Sequence, residues 1–246
     1  EDEKRGARLR TLEAHYYRAV LNEPWGETHL RGHNGRQWTG AGCRDKSTVM
    51  PYTAVLAHAA NLAEQVRAHL ESPEACIQVW TRNPATGDVL NHCVPCTNER
   101  NIGLGQITIS IDEDLIAKLR ALRQAQLPGE TGGILLGYHD FNLNLLVVVD
   151  ASQAPTDSES TATTFKRGTA GVKQLIESAA TRTANIVQYI GEWHSHPPKV
   201  SAYPSVDDKI QVLNLAAVLA EDGLPVLSLI VGDGSNELMA MLGAAI

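Results

Sequence analysis

Apolar residues recur along this chain with two periods, and the change from one period to the other marks out its elements. From Ile107 the order reads strand (Ile107 to Ile111), helix (Asp114 to Ala125), two strands (Gly133 to Tyr138 and Asn144 to Ala151), then a polar loop and a helix (Ala170 to Thr181). A strand over Gln188 to His194, a helix opening at Ser205, and closing strands at Val226 to Val231 and Glu237 to Leu242 follow. Strands alternating with helices predict an α/β fold with a mixed sheet flanked by helices. The loop Gln153 to Thr164 carries no apolar periodicity, which fits either a substrate-binding flap or an unstructured connection.

Residues 1–103 differ in character, which predicts a division near residue 104, with domains at 1–103 and 104–246. Glu3 to Leu21 reads as a charged amphipathic helix, and Glu23 to Asp45 is a polar stretch with Gly and Trp. Met50-Pro51-Tyr52 opens a long helix, Thr53 to Leu70, with Val55, Leu56, Ala59, Leu62 and Val66 on one face. A strand, turn and strand follow, over Cys76 to Trp80, Pro84 to Asp88 and Val89 to Val94.

Composition narrows the function classes. A chain of 246 residues, 43% hydrophobic, is long enough for one large core or two modest ones, and its net charge of −7 argues against nucleic acid as the main partner. The longest apolar stretches are strand length, well short of the roughly 20 residues of a membrane helix, so no membrane partner is expected. No signal peptide is visible, and the absence of an initiator Met before Glu1 is what a piece of a longer polypeptide would show. Four cysteines, Cys43, Cys76, Cys93 and Cys96, do not form a secreted disulfide framework, which points to reduced thiols in a cytoplasm. Cys93-Val94-Pro95-Cys96 is half of a zinc-ribbon-like pair, a candidate structural zinc site without a second half.

The chemistry concentrates in Glu192-Trp193-His194-Ser195-His196-Pro197. On a strand, a period of two puts His194 and His196 on one face, where both can reach one ion; on a helix, residues i and i+2 could not. Catalytic zinc usually takes three protein ligands and keeps the fourth position for water. Asp208 is the best-placed third donor, at N3 of a helix whose N-cap is Ser205. Ser205 and Asp208 also fit a plain helix cap, but that leaves the His-x-His unexplained. Water bound to zinc needs a base, and Glu130 stands at the mouth of an apolar strand behind a Pro-Gly break, with Gly132 and Gly133 permitting close backbone approach.

Glu130-Thr131-Gly132-Gly133, then His194-Ser195-His196-Pro197, then Ser205-x-x-Asp208, resembles the JAMM (JAB1/MPN/Mov34) metalloproteases of bacterial type, over about Gln106 to Ile246. Eight residues separate His196 from Ser205 where the family usually has seven, a one-residue loop insertion. The resemblance implies Zn2+ as cofactor, held by His194, His196 and Asp208, with Glu130 as general acid/base and Ser205 as the hydroxyl that steadies the oxyanion. It also implies a zinc isopeptidase or endopeptidase cleaving after the C-terminus of a ubiquitin-like protein in a bacterial ubiquitin-like pathway. The alternatives are a processing peptidase for a ubiquitin-like sulfur carrier, or a non-catalytic MPN-type scaffold. Partners would be the ubiquitin-like protein and its conjugates, together with E1/E2-like proteins.

Cys43-x-x-x-Ser47-Thr48-Val49-Met50-Pro51, the helix after it, Ile77-Gln78-Val79-Trp80 and His92-Cys93-Val94-Pro95-Cys96 look like the C-terminal part of ThiF/E1-type activating enzymes. No Gly-x-Gly-x-x-Gly follows a strand, so the ATP-binding half is missing, as is that family's other Cys-x-x-Cys. The resemblance makes Cys43 a candidate thiol site, idle without an adenylation half. Residues 1–103 are thus expected to be an α+β remnant of a ThiF/E1-like domain.

Overall fold

The apolar run Leu145 to Val149 is buried throughout because it forms a central strand with side chains entering a core on either side. The fold was read from a computed structural model, which describes residues 2–29, 37–38, 47–48, 52–71, 75–82, 89–219, 225–234 and 237–243. In chain order the elements begin α1 (Asp2–Asn22), α2 (Gly26–His29), β1 (Gln37–Trp38), β2 (Ser47–Thr48), α3 (Tyr52–Glu71), β3 (Cys76–Arg82) and β4 (Val89–Pro95). Next come β5 (Glu99–Leu104), β6 (Ile107–Asp112), α4 (Glu113–Gln126), β7 (Gly132–Asp140), β8 (Leu145–Ala151), β9 (Glu159–Ser160) and β10 (Phe165–Lys166). The chain closes with α5 (Val172–Arg182), β11 (Gln188–Ser195), α6 (Val206–Leu219), β12 (Val226–Val231) and β13 (Leu238–Gly243).

Seven strands make one sheet in the order β13-β12-β11-β7-β8-β6-β5, in which β11–β12 and β6–β8 are parallel and the other pairs antiparallel. The expected mixed sheet is present, and helices cover both faces. On one face α4 inserts Leu115, Ile116 and Leu119 among Leu146, Val148, Trp193, Leu227 and Leu229. The edge strands β5 and β13 also touch, so the sheet wraps around α4. Asp112 starts that helix by accepting the Leu115 N–H at 2.9 Å. Trp193 is the largest fully buried side chain among the described residues, and its indole N–H donates to the Ser152 carbonyl at 2.9 Å. Truncating such a residue to Ala typically costs about 3–5 kcal/mol.

The opposite face carries α1, α5 and α6, with Ala14, Ile134, Val147, Val149, Ala179 and Val187 in its core. Here the division near residue 104 meets two structural facts. The sheet already includes β5 from Glu99, and α1 packs on the sheet face, where Arg18 pairs with Asp112. The polar start Glu99-Arg100-Asn101 hid β5 from an apolar pattern, since this edge strand is only half covered. The two predicted strands pair as β3–β4 in their own two-stranded sheet, and the turn predicted at Pro84 to Asp88 lies outside the described residues. On α3 the predicted apolar stripe is present but exposed, at Val55, Leu56, Leu62 and Val66.

Of the two expectations for Gln153 to Thr164, a flap or an unstructured connection, the second is corrected. The second half of this loop pairs with the segment after it, through Ser160 opposite Phe165 and Glu159 opposite Lys166, and folds back onto β7. Side-chain-to-backbone bonds make this turn, and they leave no hydrophobic period to read. No helix among the described residues is long and apolar enough to cross a membrane.

Two glycines set the sheet's geometry where β11 runs. Gly191 has φ +151°, and a Cβ there would sit 1.8 Å from the Leu227 carbonyl oxygen. It follows a register shift against β7, a bulge that sets which face the end of β11 presents. Gly132, opposite His194, is equally confined, because a Cβ would lie 2.4 Å from the Trp193 oxygen and 2.6 Å from the Phe165 ring.

Candidate metal centre

Past the bulge, Trp193 turns into the core around α4, so Glu192 and His194 turn to the face that carries α6. The residue between the histidines fixes the end of the strand. Ser195 is fully buried; its N–H donates to the Thr131 carbonyl at 2.7 Å, and its hydroxyl accepts the Thr131 N–H at 3.1 Å. The His196 N–H donates across to Val231 at 2.9 Å, continuing the pairing past the last strand residue. The His194 and His196 rings lie 5.3 Å apart between centroids.

The turn after His196 is held by an arginine that reading the sequence passed over. Arg123 of α4 donates to the carbonyls of His196 at 2.9 Å and Pro197 at 3.2 Å, and to Asp233 at 2.8 Å. Its signal was available: a cation four residues after Leu119, on the stripe that α4 buries. On the other side of the ring, His196 Nδ1 lies 2.5 Å from the Ser201 carbonyl oxygen. A carbonyl can only accept, so Nδ1 carries the proton and Nε2 of the neutral ring presents a lone pair.

The helix α6 brings the third donor. Ser205 and Asp208 cap each other: the Ser205 N–H donates to Asp208 Oδ2 at 2.6 Å, and the Asp208 N–H donates to Ser205 Oγ at 3.2 Å. From that seat Asp208 Oδ1 lies 3.0 Å from His194 Nε2 and Oδ2 lies 3.6 Å from His196 Nε2. The three donor atoms all fall within 4.8 Å of one another. Buried His194 Nε2 makes no properly directed hydrogen bond even to this close carboxylate. An orphaned imidazole nitrogen, a second imidazole with its tautomer set, and one carboxylate form a donor set that fits zinc with an open fourth position.

Electrostatics in the site follow from this crowding. Burial would lift the Asp208 carboxyl, but His194, His196 and Ser205 outweigh it and hold Asp208 well below the usual carboxylate range. Asp208 in turn raises His196 against the opposing effect of burial. Glu130 is 8% exposed and is shifted the other way. Burial lifts its carboxyl above the ordinary range, the Asp208 charge adds to this, and the two imidazoles offset part of it. Its backbone is pinned on both sides: its N–H donates to Thr161 at 3.0 Å and its carbonyl accepts the Ser160 hydroxyl at 2.5 Å.

The structure thus brings Glu130, His194, His196, Ser205 and Asp208 to one end of the sheet. Cys43 lies outside the described residues. Cys93, on β4, and Cys96, just after it, lie in neither of the two groups of three or more donors close enough to share an ion among the described residues. The second such group, His15, Asp112 and Asp114, is a structural cluster. Arg18 donates to both Asp112 oxygens, and the Thr97 N–H donates to His15 Nε2 at 3.0 Å.

The family model described as prokaryotic homologs of the JAB domain matches residues 112–241. Among curated proteins, the "CD-NTase/cGAS isopeptidase" of Enterobacter hormaechei subsp. hoffmannii (strain UCI 50) is 38% identical over 114 residues, 45% of this chain. The chain spans 61% of that relative's length. A Desulfitobacterium hafniense protein known from a solution structure is 22% identical, with a TM-score of 0.36, over 53% of this chain and 79% of its own.

Proposed function

Because the chain belongs to the family of prokaryotic homologs of the JAB domain, we propose that it is a zinc-dependent isopeptidase that cleaves after the C-terminus of a ubiquitin-like protein in a bacterial ubiquitin-like pathway. One observation carries the reading: the three donors of His194, His196 and Asp208 lie within 4.8 Å of one another, with a buried carboxylate of raised proton affinity beside them. The likeness to a protein named for isopeptidase activity supports the same reaction class and a ubiquitin-like conjugate as substrate. When bound, zinc supplies a Lewis acid and lowers the pKa of water at its open position.

The chain's own groups do the rest. Glu130, ionised and desolvated, takes the proton of the attacking water and returns it to the departing amine. Its raised affinity suits both halves of that task, since a carboxylate at its ordinary value is a weaker base. Ser205 Oγ spends one lone pair on the Asp208 N–H and keeps its own proton, which can be donated to the oxygen that gains charge as the carbonyl is attacked. His196, oriented by Ser201, and Arg123, which holds the turn, keep the donor set in place without touching substrate.

The proposed site of action is the cytoplasm. The resemblance of residues 1–103 to the tail of an activating enzyme extends the reading, where an adenylation half accompanies this chain, to a polypeptide that joins attachment and removal of one modifier, with Cys43 serving attachment; without that half Cys43 is idle. The test is cleavage of a ubiquitin-like protein fused through its C-terminus to a reporter. Release should stop on chelation and return on adding zinc; release that a chelator leaves untouched would refute the proposal.

A further inference from the structure

Glu192 stands two residues before His194 on the same face of β11 and is 7% exposed. A carboxylate taken out of water at this depth costs several kcal/mol unless it is paired. Three elements supply its partners. Arg167 donates to Oε1 through Nε at 2.9 Å and Nη2 at 2.7 Å, and the Tyr189 hydroxyl lies 3.4 Å from the same oxygen. Gln211 Nε2 donates to Oε2 at 3.1 Å.

The origin of those partners matters more than their number. Gln211 lies one turn after Asp208, so the two share a face of α6. Arg167 directly follows β10, and β10 pairs with β9, whose Ser160 donates to the Glu130 carbonyl. One carboxylate on the histidine strand therefore ties down both the helix bearing Asp208 and the hairpin that pins Glu130. Glu192 is absent from the donor group of His194, His196 and Asp208, and both its oxygens already accept hydrogen bonds.

We propose that Glu192 is a positioning residue for the metal centre. It holds α6 at the separation from β11 at which Asp208 meets His194 and His196, and it holds the β9–β10 hairpin against Glu130. This rests on the reading of His194, His196 and Asp208 as ligands.

Zinc and cobalt titrations of the purified chain test it. Glu192→Gln removes the charge at constant size. Gln211→Met removes only the α6 arm, leaves Glu192 paired with Arg167 and so orphans no buried charge. Both variants should weaken zinc binding by about 10–100-fold and change the visible spectrum of the cobalt-loaded protein, with the melting temperature of metal-free Gln211→Met unchanged. On a ubiquitin-like fusion their kcat should fall while KM stays near the parental value.

His194→Ala is the control for the underlying reading. If it loses metal while Glu192→Gln and Gln211→Met keep the parental zinc Kd and cobalt spectrum, Glu192 only packs and the inference fails. If His194→Ala also keeps its metal, the assignment of the ligands fails instead. Should Glu192→Gln not fold, Gln211→Met alone decides.

Discussion

Asp208 meets His194 at 3.0 Å with one carboxylate oxygen and caps its own helix through Ser205 with the other. The same four-residue segment thus starts α6 and supplies a ligand, so stability and chemistry overlap at Ser205. They can be separated. Gly at an N-cap costs only a few tenths of a kcal/mol, whereas Ala costs about 1 kcal/mol. Ser205→Gly should therefore melt close to the parent yet lose roughly 10²–10³ in kcat, the usual size for an oxyanion donor. Parental turnover in Ser205→Gly would reduce Ser205 to a cap.

Glu130→Gln fills the same space without a proton to shuttle. It should retain zinc and fold, and lose about 10²–10⁴ in rate. The pH profile carries a sign as well. The working form of Glu130 is the ionised one, so kcat/KM should climb with pH along an acid limb in the parent, and the residual activity of Glu130→Gln should lack that limb. An unchanged limb in Glu130→Gln would contradict the role.

Away from the site, the Arg18–Asp112 pair fastens α1 to the start of α4. Burial would raise the Asp112 carboxyl, but the Arg18 hydrogen bonds and charge, with the Leu115 N–H, hold it below its ordinary value. A carboxyl depressed in the folded state adds stability that is complete above its unfolded pKa, about 3.9, and lost as pH falls through the lower folded value. Arg18→Met leaves a buried carboxylate without its cation and should cost about 3–5 kcal/mol at neutral pH, and the gap to the parent should narrow as pH falls, because burial then favours the protonated Asp112 in the folded state. Denaturant titration at several pH values checks both statements.

The end of β11 was legible in the sequence because strand period and helix capping are local rules: His194 and His196 share a face, and Ser205 and Asp208 sit three apart. What escaped is non-local. Ser195 looks like a spacer until its hydroxyl meets the Thr131 N–H across the sheet. Arg123 and Glu192 read as ordinary charged residues, because the partners of Arg123 lie 73–110 positions away and the Arg167 and Gln211 partners of Glu192 lie 25 and 19 positions away. The β9–β10 hairpin is made of hydroxyls that bond to backbone, which no hydrophobic period records. The packing of α1 on the sheet was hidden for a similar reason: the stripe it sets against the sheet, buried Ala14 with half-buried Tyr17 and Leu21, is narrow and set among charges.

The most direct measurement of the central claim is the zinc content of the purified chain, parent and variants side by side. The parent should hold one zinc bound by His194, His196 and Asp208, so His194→Ala and Asp208→Ala should each lose it, while Cys93→Ser/Cys96→Ser keeps it. The opposite pattern, with zinc retained by both site variants and lost from the cysteine variant, would make the metal structural and contradict the account.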